Sequence, residues 1–324
     1  MSTASKHMLT MAESAKRMNN GMLVEISELL EETNDILDDL QFVEASNITT
    51  HRSTQRTSLA KGDWRQYNQG VGNALTSTRQ IDEDVASLEI YSEVDVDLAK
   101  QSGNPKAFRK SEDVGITEGF GQQMAETIIY GNRADNPAAI TGFAPRLNEH
   151  SNPSVFNAGG TTGGLTSIYI VQHGTRKYHA FYPRGSQLGM SIRDLGEVTV
   201  HDEDNGKFQA YRTHFAWKFG HMIRDPKCVV RLANVPVVTD FDAMAQWERQ
   251  LIEILNYMPQ RGAGAVIYCN KDIMTQFDIK AMDKSNVQYR SSEVFGREVT
   301  MFRTNPIRLV EAILSTEDVV PENA

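Results

Sequence analysis

Residues 85–131 constrain the chain more than any other stretch. From Ala86 to Leu98 it reads Ala-Ser-Leu-Glu-Ile-Tyr-Ser-Glu-Val-Asp-Val-Asp-Leu, with apolar or small residues at even positions and mostly acidic or polar ones at odd positions. Alternation over that length predicts one long, half-buried strand. Asn104-Pro105 breaks it and suits a helix start, with Pro105 at the first helical position. Phe108, Ile116, Phe120, Met124 and Ile128 carry the helix to Tyr130, and Gly131-Asn132 is a stop signal. Gly115, Gly119 and Gly121 lie inside it, each costing about 1 kcal/mol relative to Ala. Such a helix is weak alone and must lie against something. A sheet of the same subunit and a neighbouring subunit both fit the local pattern.

The chain has 324 residues, enough for about two domains and a sizeable core. Its 33 Lys+Arg against 42 Asp+Glu leave a formal charge of -9, which argues against gripping nucleic acid over a broad surface. A local basic patch remains open. Cys228 and Cys269 cannot form a disulfide framework, and a reducing compartment is the simpler reading. Residues 1–10 hold no apolar core of a secretory signal, and no apolar run is long enough to span a bilayer. The chain reads as a soluble protein made in the cytosol.

After Asn20-Gly21, Leu23, Ile26, Leu30, Thr33, Leu37 and Leu40 follow at spacings of three and four, a helical stripe. Between them stand Glu25, Glu28, Glu31, Glu32, Asp35, Asp38 and Asp39 with no basic residue. A helix docked on its own domain, with a solvated acidic face, is the plainer reading; a short coiled-coil seam is the other. The tract Ser46–Ser58 and the segment Trp64–Gln69 then predict a long β-hairpin turned at Lys61-Gly62-Asp63. It has almost no aliphatic side chains, so it is either a flexible surface loop or an element that lies on another chain. Arg52, Arg56, Lys61 and Arg65 make it a basic arm in an acidic protein. Together with Trp64 they are candidate inter-subunit contacts, and Glu28, Glu32 and Asp35 of the acidic helix are candidate partners across the interface.

Asn136-Pro137 and the Gly-rich residues 158–164 mark a linker, with a boundary near residue 146. Strands are predicted at 167–172, 178–182, 197–200, 207–217 and 228–232, with Asp204-Asn205-Gly206-Lys207 as a hairpin turn. Thr239-Asp240 caps a helix that Pro259 ends. A buried strand at 265–269, a helix from 271 to 282, and strands at 299–302 and 307–314 turned by Asn305-Pro306 complete the chain.

No catalytic constellation emerges. Five of the eight histidines fall between His173 and His221, but none has metal-site spacing, so strand histidines pointing to solvent are expected. Asp202–Gly206 lacks the closing acid of a calcium loop, Thr213 standing at that position. The run Gly159–Gly164 lacks the Lys-Ser/Thr of a phosphate loop. Both cysteines sit in apolar strand contexts as inert core residues. No enzyme, cofactor or metal is expected; the competing reading is a β-rich metal-dependent enzyme using His201, Asp202 and His214.

Several stretches share one order with a known family. They are Trp64–Gly70, Ala107–Glu112, Ile129–Asn132 with Thr141–Phe143, Asp194–Val200, Phe208–Trp217, Val229–Asn234 and Asn305–Glu317. In that order the chain resembles the major capsid protein of tailed bacteriophages, of the Hong Kong 97-like fold, and within it the gene-product-seven type of short-tailed phages. The resemblance implies an α+β fold with an N-terminal arm at 1–45 and an extended hairpin loop at 46–84. It implies a peripheral strand and spine helix at 85–145, an axial domain at 146–290, and a C-terminal strand at 291–324 returning beside the strand at 86–98. The implied function is self-assembly, through hexamers and pentamers, into an icosahedral shell around double-stranded DNA, without sequence-specific binding. Scaffolding and portal proteins, and optionally a decoration protein, are the implied partners; the virion, and host cytoplasm during assembly, the implied location. No membrane is involved. The arm helix begins close to the first residue, which implies a separate scaffolding protein. Lys61 lies near where some members carry a cross-linking lysine, but no partner asparagine or acid matches, so no cross-link is expected. An encapsulin-like compartment of the same fold is the alternative. Deleting residues 52–66 is expected to leave a soluble, folded subunit that fails to assemble, read by circular dichroism and electron microscopy; an unfolded product would place the tract in the subunit's own core.

Overall fold

The computed structural model describes residues 18–19, 22–23, 34–161, 163–201, 206–237, 241–281, 289–294 and 297–321. In chain order they form strands β1 (Met18–Asn19) and β2 (Met22–Leu23), helix α1 (Ile36–Asp39), and strands β3 (Phe42–Glu44), β4 (Thr50–Arg56), β5 (Thr78–Asp84) and β6 (Ala86–Asp95). Helices α2 (Val96–Gln101), α3 (Pro105–Tyr130) and α4 (Phe143–Arg146) follow, then β7 (Val155–Asn157), β8 (Leu165–Gln172), β9 (Tyr178–Tyr182), β10 (Met190–His201), β11 (Lys207–Ile223) and β12 (Val229–Pro236). The rest is α5 (Phe241–Tyr257), β13 (Ala265–Cys269), α6 (Lys271–Ala281), β14 (Tyr289–Val294), β15 (Arg297–Phe302) and β16 (Asn305–Leu309).

Two bodies follow from two sheets. The larger sheet runs β14-β15-β16-β13-β8-β12-β7. Every residue of β8 is buried, and its alternation sends Ile168 and Ile170 into one apolar core and Tyr169 and Val171 into another. The first core contains Trp247, Leu251 and Ile254 of α5 and Ile273 and Phe277 of α6. The second contains Ile128 and Ile129 of α3, Ile36 of α1 and Phe143 of α4. The smaller sheet is built on β11, which is 17 residues long. Its first part lies between β10 and β6, and its last four residues, Gly220–Ile223, pair with β9.

The predicted strand at 86–98 ends three residues early. The Asp95 carboxylate accepts from the backbone N–H of Asp97 at 2.8 Å and of Leu98 at 3.3 Å, capping α2. Val96 and Leu98 remain buried, now on a helical turn, so the alternation ran past the strand. The long helix starts and stops where predicted: the Asn104 side chain accepts from Ala107 N at 3.2 Å, and Gly131 is the C-cap. Arg109 fixes it on the sheet through Asp194, at 2.7 and 3.1 Å, and through the Thr213 hydroxyl at 3.1 Å. The Arg109 guanidinium holds the Asp194 carboxyl below the usual carboxylate range. Gly131 has an ordinary φ of -49°, so its need is for space. A Cβ there would lie 2.6 Å from Ile140 O, and one on Gly142 would lie 2.7 Å from Ile129 O. Gly115 and Gly119 face open space, and only Gly121 meets a neighbour, Leu37 at 4.0 Å.

Other expectations are corrected. The hairpin does not turn at 61–63 and return through Trp64–Gln69; its return strand is β5, paired Thr50↔Asp84 to Arg56↔Thr78, and residues 57–77 form the loop. Asn305-Pro306 is not the last turn but the start of β16; Arg303 and Thr304 turn the chain, with Arg303 at φ 58°. β16 ends at Leu309 and pairs parallel with β13, so the strand beside β6 is β11 and not the C-terminal one. Leu23 belongs to β2, paired with β1, rather than to a helical stripe. Among the described arm residues only Ile36–Asp39 is helical, and Glu28 and Glu32 lie outside them, as do the predicted turn residues 204–205 and the cap Thr239-Asp240.

Gly142→Ala is expected to destabilise the subunit by about 1–3 kcal/mol through overpacking. Gly119→Ala, with open space at its Cβ, should hold stability or raise it by up to about 1 kcal/mol. Urea unfolding midpoints of the two variants measure the difference.

Candidate subunit interface

The hairpin is fastened at its root. Arg146 makes a two-pronged pair with Glu83, at 2.6 and 2.8 Å, both side chains largely buried. Arg133 pairs with Asp84. Val85 N donates to Thr49 O at 2.9 Å at the root, and near the far end of the ladder Gln55 Nε2 donates to Arg224 O at 2.5 Å. The His51 ring lies 4.9 Å from that of Phe181, and its Nε2 is 3.3 Å from His179 Nε2. Bidentate, sheltered pairs of this kind are the stronger class of charged contact.

The other end of the hairpin touches nothing. Trp64 is 104% exposed, Tyr67 96%, Leu75 88% and Leu59 73%. With Val71, the loop therefore carries five large apolar side chains in water, which its hydrophilic flanks hide in the sequence. Several large apolar side chains exposed on one loop mark a place where something docks.

The eight predicted contact residues divide. Arg56, Lys61, Trp64 and Arg65 are exposed on or beside the loop. Arg52 is used within the hairpin, its guanidinium donating to the two Asp82 carboxylate oxygens at 2.7 Å through Nε and Nη2. That hydrogen-bonded pair holds the Asp82 carboxyl below its ordinary range. Asp35 faces the C-terminal strand of its own subunit: its N–H donates to Leu309 O at 3.1 Å, and its carboxylate accepts from Leu309 N at 3.3 Å. Burial pushes the Asp35 acid up. Glu28 and Glu32 lie outside the described residues, so the acidic and basic sets are not brought together. Sequence reasoning missed the root residues Glu83, Asp84, Arg133, Arg146, His51 and His179. The acidic run Asp82-Glu83-Asp84, just before the alternating strand, was the one available signal.

Of the five clustered histidines only His201 is the solvent-facing strand residue expected. His179, His214 and His221 are buried, and His173 is half-buried. His221 Nε2 lies 2.6 Å from Thr141 O and its Nδ1 3.1 Å from the Tyr178 hydroxyl. His214 meets Glu89 at 3.2 Å and stacks on Tyr91. His201 is exposed opposite Lys207, while His214 lies seven residues farther along β11. That separation is roughly 23 Å at about 3.3 Å per residue, so the two cannot share a metal. Asp202 lies outside the described residues, among which no group of three or more His, Cys, Asp or Glu could hold a metal ion. Cys228 and Cys269 are buried and unpaired; burial pushes both thiols up, Cys228 to about 12. Among the described residues no helix is long and apolar enough to cross a membrane.

A two-sheet body with a long helix across the smaller sheet, and a rooted hairpin whose tip is left in water, suit a subunit of a larger assembly. The likeness to solved structures agrees. A chain of bacteriophage Epsilon15 matches with a TM-score of 0.74 and 28% identity, over 99% of each chain. A chain of Microbacterium phage Oxtober96 matches at 0.47 and 7% identity, over 69% of this chain and 98% of its own. The SrpI encapsulin of Synechococcus elongatus matches at 0.45 and 10%, over 70% and 95%; neither of these two carries an argument. No curated protein sequence matches. The family model of major capsid protein GP7 matches residues 18–321, and the chain belongs to that family. It is a structural subunit of a phage shell, with the Hong Kong 97-like fold that the order of elements implied.

Burial holds His221 at about 3 and His173 and His179 at about 4, against an ordinary 6.5. Between those values the unfolded chain binds protons that the folded chain does not. Stability is therefore whole above pH 6.5 and falls as pH drops toward 4. The buried acids Asp35, Asp39 and Asp113, raised by burial, act in the opposite sense at the acid end. Thermal melts of the free subunit across this range should show the loss, and His179→Gln should make it shallower.

Proposed function

We propose that the hairpin loop is the reaching element of the shell, and that Arg56, Lys61, Trp64 and Arg65 lie against a neighbouring copy within hexamers and pentamers. The exposure of Trp64 and Tyr67 at the tip of a rooted hairpin carries this reading. Burying one such ring contributes about 1.5–3 kcal/mol, enough to favour a correct contact and small enough for a wrong one to dissociate. On this reading residues 1–45 are the arm, 46–84 the loop, 85–145 the peripheral part, and 146–290, with β14, β15 and β16 joined to its sheet through β13, the axial part. The formal charge of -9 suits a wall that packaged double-stranded DNA does not adhere to. A separate scaffolding protein, a portal, and optionally a decoration protein complete the assembly in the host cytoplasm.

The loop boundaries found above refine the deletion that tests this. Replacing residues 59–75 with a short Gly-Ser linker removes Leu59, Trp64, Tyr67 and Leu75 and keeps the β4–β5 ladder. The product should melt as the unaltered subunit does and form no particles in electron micrographs. Particles at normal yield would leave the loop without its assigned role.

A further inference from the structure

Enclosing double-stranded DNA, the reading on which the following rests, sets a chain of formal charge -9 against a polyanion. One rim of the subunit reverses the sign. The turn at 174–177 between β8 and β9, the turn at 224–228 between β11 and β12, and the far end of the β4–β5 ladder meet there. Arg224 N donates to Lys177 O at 2.9 Å, and Arg224 Nη1 to Thr175 O at 3.2 Å. Gln55 Nε2 donates to Arg224 O, and Arg79 Nη2 donates to Gln55 Oε1 at 3.0 Å. Arg79, Arg176, Lys177, Arg224 and Lys227 are gathered by these bonds and turns. Asp225 is the acid on the two turns, and its carboxylate is spent in accepting from Lys227 N at 3.0 Å.

Two features set these cations apart. Among the described residues no carboxylate stands within 4.0 Å of any of them, whereas Arg109, Arg146 and Arg231 each pair with one. Three of them are instead held by neutral partners: Arg79 by the Gln55 amide oxygen, Arg224 by the Thr175 carbonyl, and Lys227 by the face of the Tyr257 ring at 5.4 Å. A cation held in this way is positioned and keeps its whole charge. Burial, and then the Arg224 charge, hold the His51 ring below its ordinary value, as expected beside a cation that no acid neutralises. Like charges so gathered repel one another and raise a positive potential over the rim, which an arriving anion relieves.

We infer that this rim is where the phosphate backbone of duplex DNA meets the subunit. No large apolar side chain is exposed on either turn. A protein partner is anchored by aromatic or aliphatic side chains in pockets, whereas phosphates need only cations and N–H donors, and such contacts carry no sequence information. The rest of an acidic surface repels the duplex, so the wall holds it at separate points and not along its length.

The test uses the full-length subunit and the fluorescence anisotropy of a labelled duplex at several salt concentrations. Five phosphate contacts at about −0.9 each give a slope of log K against log salt of about −4.5. Arg79→Gln, Arg176→Gln and Lys227→Gln together, all at exposed positions, should melt as the unaltered chain does, bind at least ten-fold more weakly, and bring the slope to about −2. Lys100→Gln, Lys106→Gln and Lys110→Gln remove the same charge from exposed sites on α2 and α3 and should leave the slope unchanged. Equal losses in the two triple variants, no binding at about 50 mM salt, or tighter binding of an acidic peptide of residues 22–40 than of the duplex each overturn the site. The shell reading then stands, provided that purified particles contain DNA. Particles devoid of DNA overturn that reading instead, and the assignment to packaged duplex falls with it.

Discussion

The buried pair between Arg231 and Glu317 holds the subunit's parts in one arrangement. Both side chains are 6% exposed. Arg231 reaches from β12 to Glu317 at 2.9 Å and to Leu147 O at 2.8 Å. Glu317 also accepts from the Tyr130 hydroxyl, at the end of α3, at 2.5 Å, and from Ser167 on β8. Burial beside Glu317 pushes the Tyr130 phenol up, so it stays protonated and donates. One carboxylate thus ties the long helix, the large sheet and the C-terminal segment together. Removing one member of such a set typically costs about 3–5 kcal/mol, because the other is left charged and unpaired in the interior. Asn234 continues the attachment, bonding both the N–H and the carbonyl of Val320.

With the body fixed, the hairpin inverts the usual distribution of side chains. Charged groups are sheltered at its root, Glu83 with Arg146, and apolar rings stand in water at its tip. Its ladder is polar on both strands apart from Ile81, so main-chain hydrogen bonds and the Arg52–Asp82 pair hold it rather than a core. Such an element keeps its shape without burying the surface that it later needs.

That inversion explains what the sequence disclosed and what it hid. The alternation at 86–95 and the Pro105 start were legible because they are local consequences of pleat and proline geometry. The end at Asp95 was not, because Val96 and Leu98 stay buried on either side of the change from strand to helix. β5 has no apolar period, so only its pairing with β4 reveals it. The histidines misled for a different reason: His221 is buried by Thr141 and Tyr178, which no local pattern places beside it. Asp35 looked like part of a solvated face, yet its partner Leu309 is 274 residues away. Within the proposed interface, the basic tract and Trp64 were readable as an arm, while Arg133 and Arg146, which orient it, carry no signature until the chain is folded.

Magnitudes decide how such a subunit must assemble. One exposed ring of the loop, buried on a neighbouring copy, contributes about 1.5–3 kcal/mol. Bringing two proteins together forfeits about 4–15 kcal/mol of translational and rotational freedom. One tip contact therefore cannot hold a pair, and an acidic subunit with exposed rings stays dispersed at low concentration. A closed ring of n copies gains n contacts and loses the freedom of only n−1 partners, so the last contact forms without that cost. On the proposed reading of the loop, closure, rather than the strength of any single contact, is the step that commits subunits to the shell.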